Sequence, residues 1–171
     1  MKKALFVLAA ITMLSLSFSE VNAQTKMGEK HYFSLGLHYG YGVSSVANLG
    51  GINFDINGFD NNFRVRVDLD CLQRPVGENL MAVGAKADAQ YLIPIVSGEK
   101  SGFYIYPSVG LGAEAHDISN WSSKQGLGFN AGAGIEYQIN GNVGLFVEGA
   151  YLYRFGTENY ITGMVGIAFG L

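Results

Sequence analysis

Residues 63 to 71 read Phe-Arg-Val-Arg-Val-Asp-Leu-Asp-Cys, an unbroken alternation of apolar and charged side chains. A strand turns successive side chains to opposite faces. Arg64, Arg66, Asp68 and Asp70 therefore share one side, and Phe63, Val65, Val67, Leu69 and Cys71 the other. The same period of two recurs in eight segments between Phe33 and Leu171. Their apolar sets begin with Phe33, Leu35, Leu37, Tyr39, Tyr41 and Val43, and with Ile52, Phe54 and Ile56. After the segment from Phe63 come Met81 to Ile93, Phe103 to Ala113, Leu127 to Tyr137, Val143 to Phe155 and Ile161 to Leu171. Most are longer than an ordinary strand of ~5–6 residues and approach the ~9–11 that cross a bilayer at a tilt. Pro107 lacks a ladder donor inside the fifth segment, which predicts a bulge there.

The connections alternate in kind. Asn57-Gly58, Ser97-Gly98 and Asn140-Gly141 mark tight turns. Loops are expected around 44–49, 72–80, 117–125 and 156–159. Short turns on one rim and longer loops on the other fit a barrel whose short-turn rim faces the periplasm.

A two-faced strand also fits a soluble, lipocalin-like barrel with its apolar side inward. Three features favour the inverse arrangement. The polar face is rich in glycine and poor in lysine, which suits a crowded interior better than a solvated surface. Aromatic residues sort to the segment ends: Phe33, Phe63, Tyr91, Phe103, Tyr137 and Phe169 near one rim, and Tyr39, Tyr41, Phe129, Tyr153, Phe155 and Tyr160 near the other. Two such girdles around an aliphatic band mark membrane interfaces. Finally, the polar-face charges can neutralise one another. Counting back from the 57–62 turn sets Asp55 opposite Arg64 and Asn53 opposite Arg66. Counting back from the 72–80 loop sets Arg64 opposite Asp88 and Arg66 near Lys86. An Asp55–Arg64–Asp88 ladder would suit a dry lumen, where an unpaired ion is costly. The expected fold is all-β: a closed antiparallel eight-stranded up-and-down transmembrane β-barrel.

Composition narrows the setting. Lys2 and Lys3, an apolar run from Ala4 to Phe18 and the small-residue site Val21-Asn22-Ala23 form a secretory signal peptide over 1–23, leaving 24–171 as one barrel domain. No later stretch is apolar enough for a helical span. A formal net charge of −3 gives no basic excess for nucleic acid. Cys71 is the lone cysteine, so no internal disulfide forms; it falls on the lipid face as a small apolar filler.

Several stretches resemble the small outer-membrane β-barrel superfamily, the opacity and outer-membrane-protein-A transmembrane type. They are Val83-Gly84-Ala85-Lys86-Ala87-Asp88-Ala89-Gln90-Tyr91, Gly132-Ala133-Gly134-Ile135-Glu136-Tyr137 and the ending Gly166-Ile167-Ala168-Phe169-Gly170-Leu171. The resemblance covers roughly Lys30 to Leu171. It implies an outer-membrane location, lipid as solvent and the barrel-assembly machinery as a transient partner that reads the final strand. That family more often closes on phenylalanine than on leucine. With the sequence ending at Leu171, a wall-anchoring role is not expected.

Candidate chemistry is sparse. His116, Asp117 and Ser119 could form a nucleophilic set for outer-leaflet lipid, but a local His-Asp-x-Ser is nonspecific, and a polar loop explains it. His31 reads as a residue before the first strand and His38 as lumen filler; three scattered histidines lack metal-ligand spacing. Trp121 fits either the outer interface or a partner contact. Glu114, Glu136, Glu148 and Arg154 share the polar face with the charges already named. The expected site is thus a structural lumen network of Asp55, Arg64, Arg66, Asp68, Asp70, Lys86, Asp88, Glu114, Glu136, Glu148 and Arg154, with no catalytic residue, metal or cofactor. Tyr104, Tyr106, Phe146 and Leu152 would fill the remaining lumen. The sequence favours a structural or surface-contact barrel that meets an extracellular partner through its loops. A narrow channel, a lipid-modifying enzyme and a soluble periplasmic carrier are the alternatives.

Overall fold

The computed structural model describes residues 33–43, 48–57, 62–73, 81–97, 101–116, 125–139, 142–155 and 159–171. The alternating segments form β1 (Phe33–Val43), β2 (Asn48–Asn57), β3 (Phe63–Gln73), β4 (Met81–Tyr91), β5 (Ile93–Ser97), β6 (Ser101–His116), β7 (Gln125–Ile139), β8 (Val143–Arg154) and β9 (Tyr160–Gly170). Each pairs antiparallel with its chain neighbour, except that β4 and β5 are two halves of one wall strand and both pair with β6. β1 pairs with β9, which closes the sheet. The result is an eight-stranded up-and-down barrel of the transmembrane type.

Paired residues trace the closure. From Ser101 the ladder passes through Ile139, Val143, Phe169, Leu35, Phe54, Val67 and Ala87 and returns to Leu111, ten positions further along β6. That stagger is the barrel's shear. With eight strands it leaves an interior that side chains can fill.

The wall is apolar outside and polar inside. Val109, Leu111, Leu127, Val147 and Val165 stand exposed, whereas Arg66, Asp55, Asp68 and Asp88 are buried. An apolar exterior on this scale would aggregate in water and is at home in lipid, which excludes the inward-apolar soluble barrel. Tyr39, Tyr41, Phe129, Tyr153 and Phe155 stand out near one rim, with Phe155 edge-on to both Phe129 and Tyr153 at 5.6 and 5.2 Å between ring centroids. Phe33, Phe63, Tyr91 and Tyr137 stand out near the other, with Phe103 and Phe169 half-buried beside them. Tyr160 departs from the expected girdle: it faces the lumen and is 2% exposed. It opens β9 with the parity of Thr162 and Met164, which are also buried.

Connections 58–62, 98–100 and 140–142 lie on one rim, where the Leu171 amide donates to the Phe33 carbonyl at 2.9 Å. Connections 44–47, 74–80, 117–124 and 155–159 lie on the other. The expected turn glycines Gly58, Gly98 and Gly141 fall outside the described residues, as do the 1–23 segment, His31, Asp117, Ser119 and Trp121.

Two expectations of local geometry are corrected. No register shift occurs at Pro107; the shift lies between Pro94 and Val96 in β5. The register that pairs Gln90 with Ser108 and Ile93 with Ile105 sets Tyr91 and Leu92 across from Pro107 and Tyr106. The missing proline donor therefore coincides with the break between β4 and β5, while the Leu92 amide continues the β3–β4 register by donating to the Asn62 carbonyl at 2.6 Å. The second correction concerns β3, whose neighbours are offset by two residues from the counted register. Asp55 pairs with Arg66 and Asn57 with Arg64, while Arg66 pairs with Asp88 and Asp68 with Lys86. The connections on both sides of β3 close later than a minimal turn. A two-residue slip preserves parity, so every side chain keeps its face.

Candidate functional site: the charged lumen

Every charged side chain among the described residues points into the lumen. All eleven residues of the expected network are there, buried except for Asp70, which is half-buried. Alternation on each strand puts them inside, and the two-residue offset decides which meet.

Arg66 sits at the centre. Its Nε and Nη2 donate to Asp55 Oδ1 and Oδ2 at 2.7 and 2.9 Å, a two-pronged pairing. Its Nη1 reaches Glu148 at 3.5 Å, and the guanidinium lies 4.1 Å from the centroid of Phe146. Arg64 donates through Nε to Gln90 at 2.7 Å and through Nη1 to Glu136 at 2.5 Å, and stands 3.5 Å from Asp55. Its guanidinium lies 5.2 Å from the Tyr106 ring. The ladder that counting assigned to Asp55, Arg64 and Asp88 is therefore centred on Arg66.

Lys86 faces three carboxylates: Asp68 and Asp88 at 3.4 Å and Glu148 at 3.3 Å. Glu148 also accepts from Gln90 at 3.3 Å and from the Tyr106 hydroxyl at 3.1 Å. Asn130 donates to Asp88 at 3.1 Å. His38 carries more than bulk: its Nε2 lies 2.5 Å from Asp70 and its Nδ1 3.6 Å from Asp68. Nearer the long-connection rim, Arg154 pairs with Glu114 at 3.1 Å and donates to Asn130 at 2.8 Å, and the Tyr160 hydroxyl donates to Glu114.

Above the charged midsection, Leu49, Leu72, Ala82, Ala150, Leu152, Tyr160 and Met164 meet in a buried apolar cluster inside the barrel. Below it, Leu92, Tyr106 and Phe146 are buried as well. Tyr104, expected in the lumen, is half-buried at its mouth. A recess of about 20 Å³, the volume of a single water centre, opens at the short-connection end between Ser34, Asp55, Asn57, Arg64, Glu136 and Gln138. Apolar side chains thus pack among the charges, with Arg154 and Glu114 toward the long-connection rim and Arg64 and Glu136 toward the recess at the other. His116 ends β6 opposite Ala82, at the long-connection rim; Asp117 and Ser119 supply no described geometry to it. Cys71 is exposed on the outer face, paired with Val83.

Sequence reasoning missed Leu49, Leu72, Tyr160 and Met164 as lumen residues and the His38 pairing. Their signal was parity. Leu49 has the phase of Asn53 and Asp55, Leu72 that of Asp68 and Asp70, and Met164 that of Thr162 and Gly166.

No protein-family model matches this chain, and no curated protein does. Solved structures match in fold. The N-terminal β-barrel domain of Pseudomonas aeruginosa OprF is 17% identical, with 82% of this chain and 98% of that one covered and a TM-score of 0.63. Neisserial surface protein A is 15% identical, with 81% and 97% covered and a TM-score of 0.60. The outer membrane enzyme PagL is 10% identical, with 81% and 99% covered and a TM-score of 0.56. At these identities the likeness is one of architecture, and the same barrel carries an outer membrane enzyme and a surface protein alike.

Proposed function

We propose that this chain is an exported outer-membrane barrel with a sealed lumen, acting as a structural or surface-contact protein rather than as a diffusive pore or an enzyme. The observation that carries this reading is the filled interior. Paired charges occupy the midsection, and the Leu49–Leu72–Leu152–Met164 cluster together with the Arg154–Glu114 pair fills the lumen toward the long-connection rim. A column of water has no continuous path through such packing. Contact with surroundings then falls to the connections at 44–47, 74–80, 117–124 and 155–159.

In this reading residues 1–23 are removed on export and 24–171 form the barrel. The long-connection rim faces outward, and the lumen network of Asp55, Arg64, Arg66 and their neighbours is structural. The partners are outer-membrane lipid, the assembly machinery that reads β9 during insertion, and an extracellular molecule met through the loops. Fractionation should place the protein in outer membranes, with an unheated band that migrates differently from the heated one. In planar bilayers the folded protein should pass no sustained current. Recovery in a soluble fraction, or stable conductance, would overturn the reading.

The polar column from Gln138 and Arg64 to Asp70 favours one second reading, a narrow channel with the apolar cluster as its gate. It requires current that changes in Arg64→Gln or Glu136→Gln. An outer-leaflet lipid enzyme would instead alter lipid chains and lose that effect in His116→Ala.

A further inference from the structure

His38 reaches two carboxylates at once. It is buried on the lumen face of β1, with Nε2 2.5 Å from Asp70 Oδ1 and Nδ1 3.6 Å from Asp68 Oδ1. Both aspartates lie on β3, and β2 runs between β3 and β1. Gly51 of β2 is the register partner of His38 on one side and of Asp70 on the other. A Cβ there would stand 2.8 Å from Asp70 Oδ1 and 3.0 Å from His38 Nε2, so the glycine lets the two side chains meet over that strand.

The other groups around the ring leave this contact to histidine. Lys86 of β4 stands 3.4 Å from the second oxygen of Asp68 and is shared with Asp88 and Glu148. Arg66, on the same face of β3, is engaged by Asp55 and Glu148. Glu114 of β6 shares the space over Gly84 with Asp70 and is paired with Arg154. Toward β9 the neighbour of His38 is Gly166, with the Phe146 ring of β8 lying over it.

A neutral imidazole carries one N–H. With that proton on Nε2 for Asp70, the bare Nδ1 faces a carboxylate oxygen, two acceptors in a buried contact. Nδ1 and both Asp68 oxygens are buried without a hydrogen-bond partner. An imidazolium has a donor on each nitrogen, and a small shift of the ring would close the 3.6 Å gap.

We propose that His38 is a proton-operated clasp between β1 and β3. As an imidazolium it ties β1 to both Asp68 and Asp70 across β2; as a neutral ring it holds Asp70 alone. The proton that opens the clasp leaves Nδ1 for water, and Nε2 keeps its own. Asp70 is the least enclosed of the three residues and gives the group its access to solvent. The unfolded chain offers the ring no such partners. Stability from the clasp is therefore fully present where histidine is charged and is lost as pH rises. The clasp is independent of whether the barrel conducts.

The test is urea unfolding of the full barrel in phosphatidylcholine vesicles from about pH 5 to about pH 9, through the range where histidine changes charge. The comparison is His38→Gln, which keeps a donor for Asp70 and carries no charge. The unsubstituted barrel's midpoint should exceed the variant's by about 1 M urea at the acid end and by much less at the alkaline end. Nitrogen-15 spectra of the folded, histidine-labelled barrel need no variant that folds. His38 should hold protons on both ring nitrogens at the acid end and lose only the Nδ1 proton as pH rises. A midpoint difference that is constant with pH or grows as pH rises would overturn the clasp. So would a ring that is neutral at the acid end, or one that loses its proton from Nε2.

Discussion

Arg66 holds Asp55 through two parallel hydrogen bonds, Nε to Oδ1 at 2.7 Å and Nη2 to Oδ2 at 2.9 Å, across the β2–β3 ladder. Both residues are buried, and Phe146 covers the guanidinium at 4.1 Å. Such a pair is costly to break and much cheaper to replace. Removing one partner strands a buried charge, at about 3–5 kcal/mol. Arg66→Met alone and Asp55→Asn alone should each lower unfolding stability in vesicles by that order. Arg66→Met with Asp55→Leu should recover most of the loss. A double variant no more stable than the singles would show that the pair's shape, not its charge, holds β2 to β3.

The apolar cluster makes a separate prediction. Leu152 is buried among Leu49, Leu72 and Met164, so Leu152→Ala should cost about 2–5 kcal/mol by lost burial and an unfilled cavity. Replacing Leu49, Leu72 and Leu152 together with serine makes the long-connection end of the lumen polar. That variant should show stepwise current in planar bilayers where the unsubstituted barrel is silent. Silence in both would move the seal to the Tyr106 and Phe146 layer.

The fold was legible because alternation over eight long segments leaves little freedom: residue parity alone assigns Arg64, Glu136 or Glu148 to the lumen. The pairing was less legible. Register depends on where each connection closes, and 58–62 and 74–80 close later than the shortest turn, so Arg66 and not Arg64 became the partner of Asp55. Leu49 and Leu72 fall within the expected loops because an apolar residue in a polar phase looks like the end of a strand. In three dimensions they lie inside, where an apolar seal tolerates them and a solvated face would not. The His38 pairing with Asp70 joins β1 to β3 across Gly51, a contact that neither segment's own sequence contains.

Position along the bilayer normal predicts how the outer face answers to charge. Val165 is exposed and lies midway along β9, away from both ends of that strand. Val43 is also exposed but ends β1 at the long-connection rim. Val165→Arg should therefore lose about 2–4 kcal/mol, whereas Val43→Arg should lose no more than about 1 kcal/mol. Equal losses in vesicle unfolding would mean that the apolar band is not centred between the two aromatic rows.

Two glycines on opposite faces of the wall should answer to alanine with opposite sign. Gly163 faces outward between Tyr41 and Gly149, and a Cβ there meets nothing within 4 Å. Gly163→Ala removes backbone freedom from the unfolded chain without a clash, and should stabilise by about 0.5–1 kcal/mol. Gly134 faces inward, and a Cβ there would overlap the Tyr106 ring. That ring cannot step aside cheaply: it is buried, its hydroxyl donates to Glu148 at 3.1 Å, and Arg64 lies 5.2 Å from its centroid. Gly134→Ala should therefore destabilise by about 1–3 kcal/mol through overpacking. Adding Tyr106→Leu should relieve the overlap and narrow that loss, measured against Tyr106→Leu alone. If Gly134→Ala is harmless while Tyr106 is intact, the aromatic layer beneath the charged midsection is looser than its burial indicates.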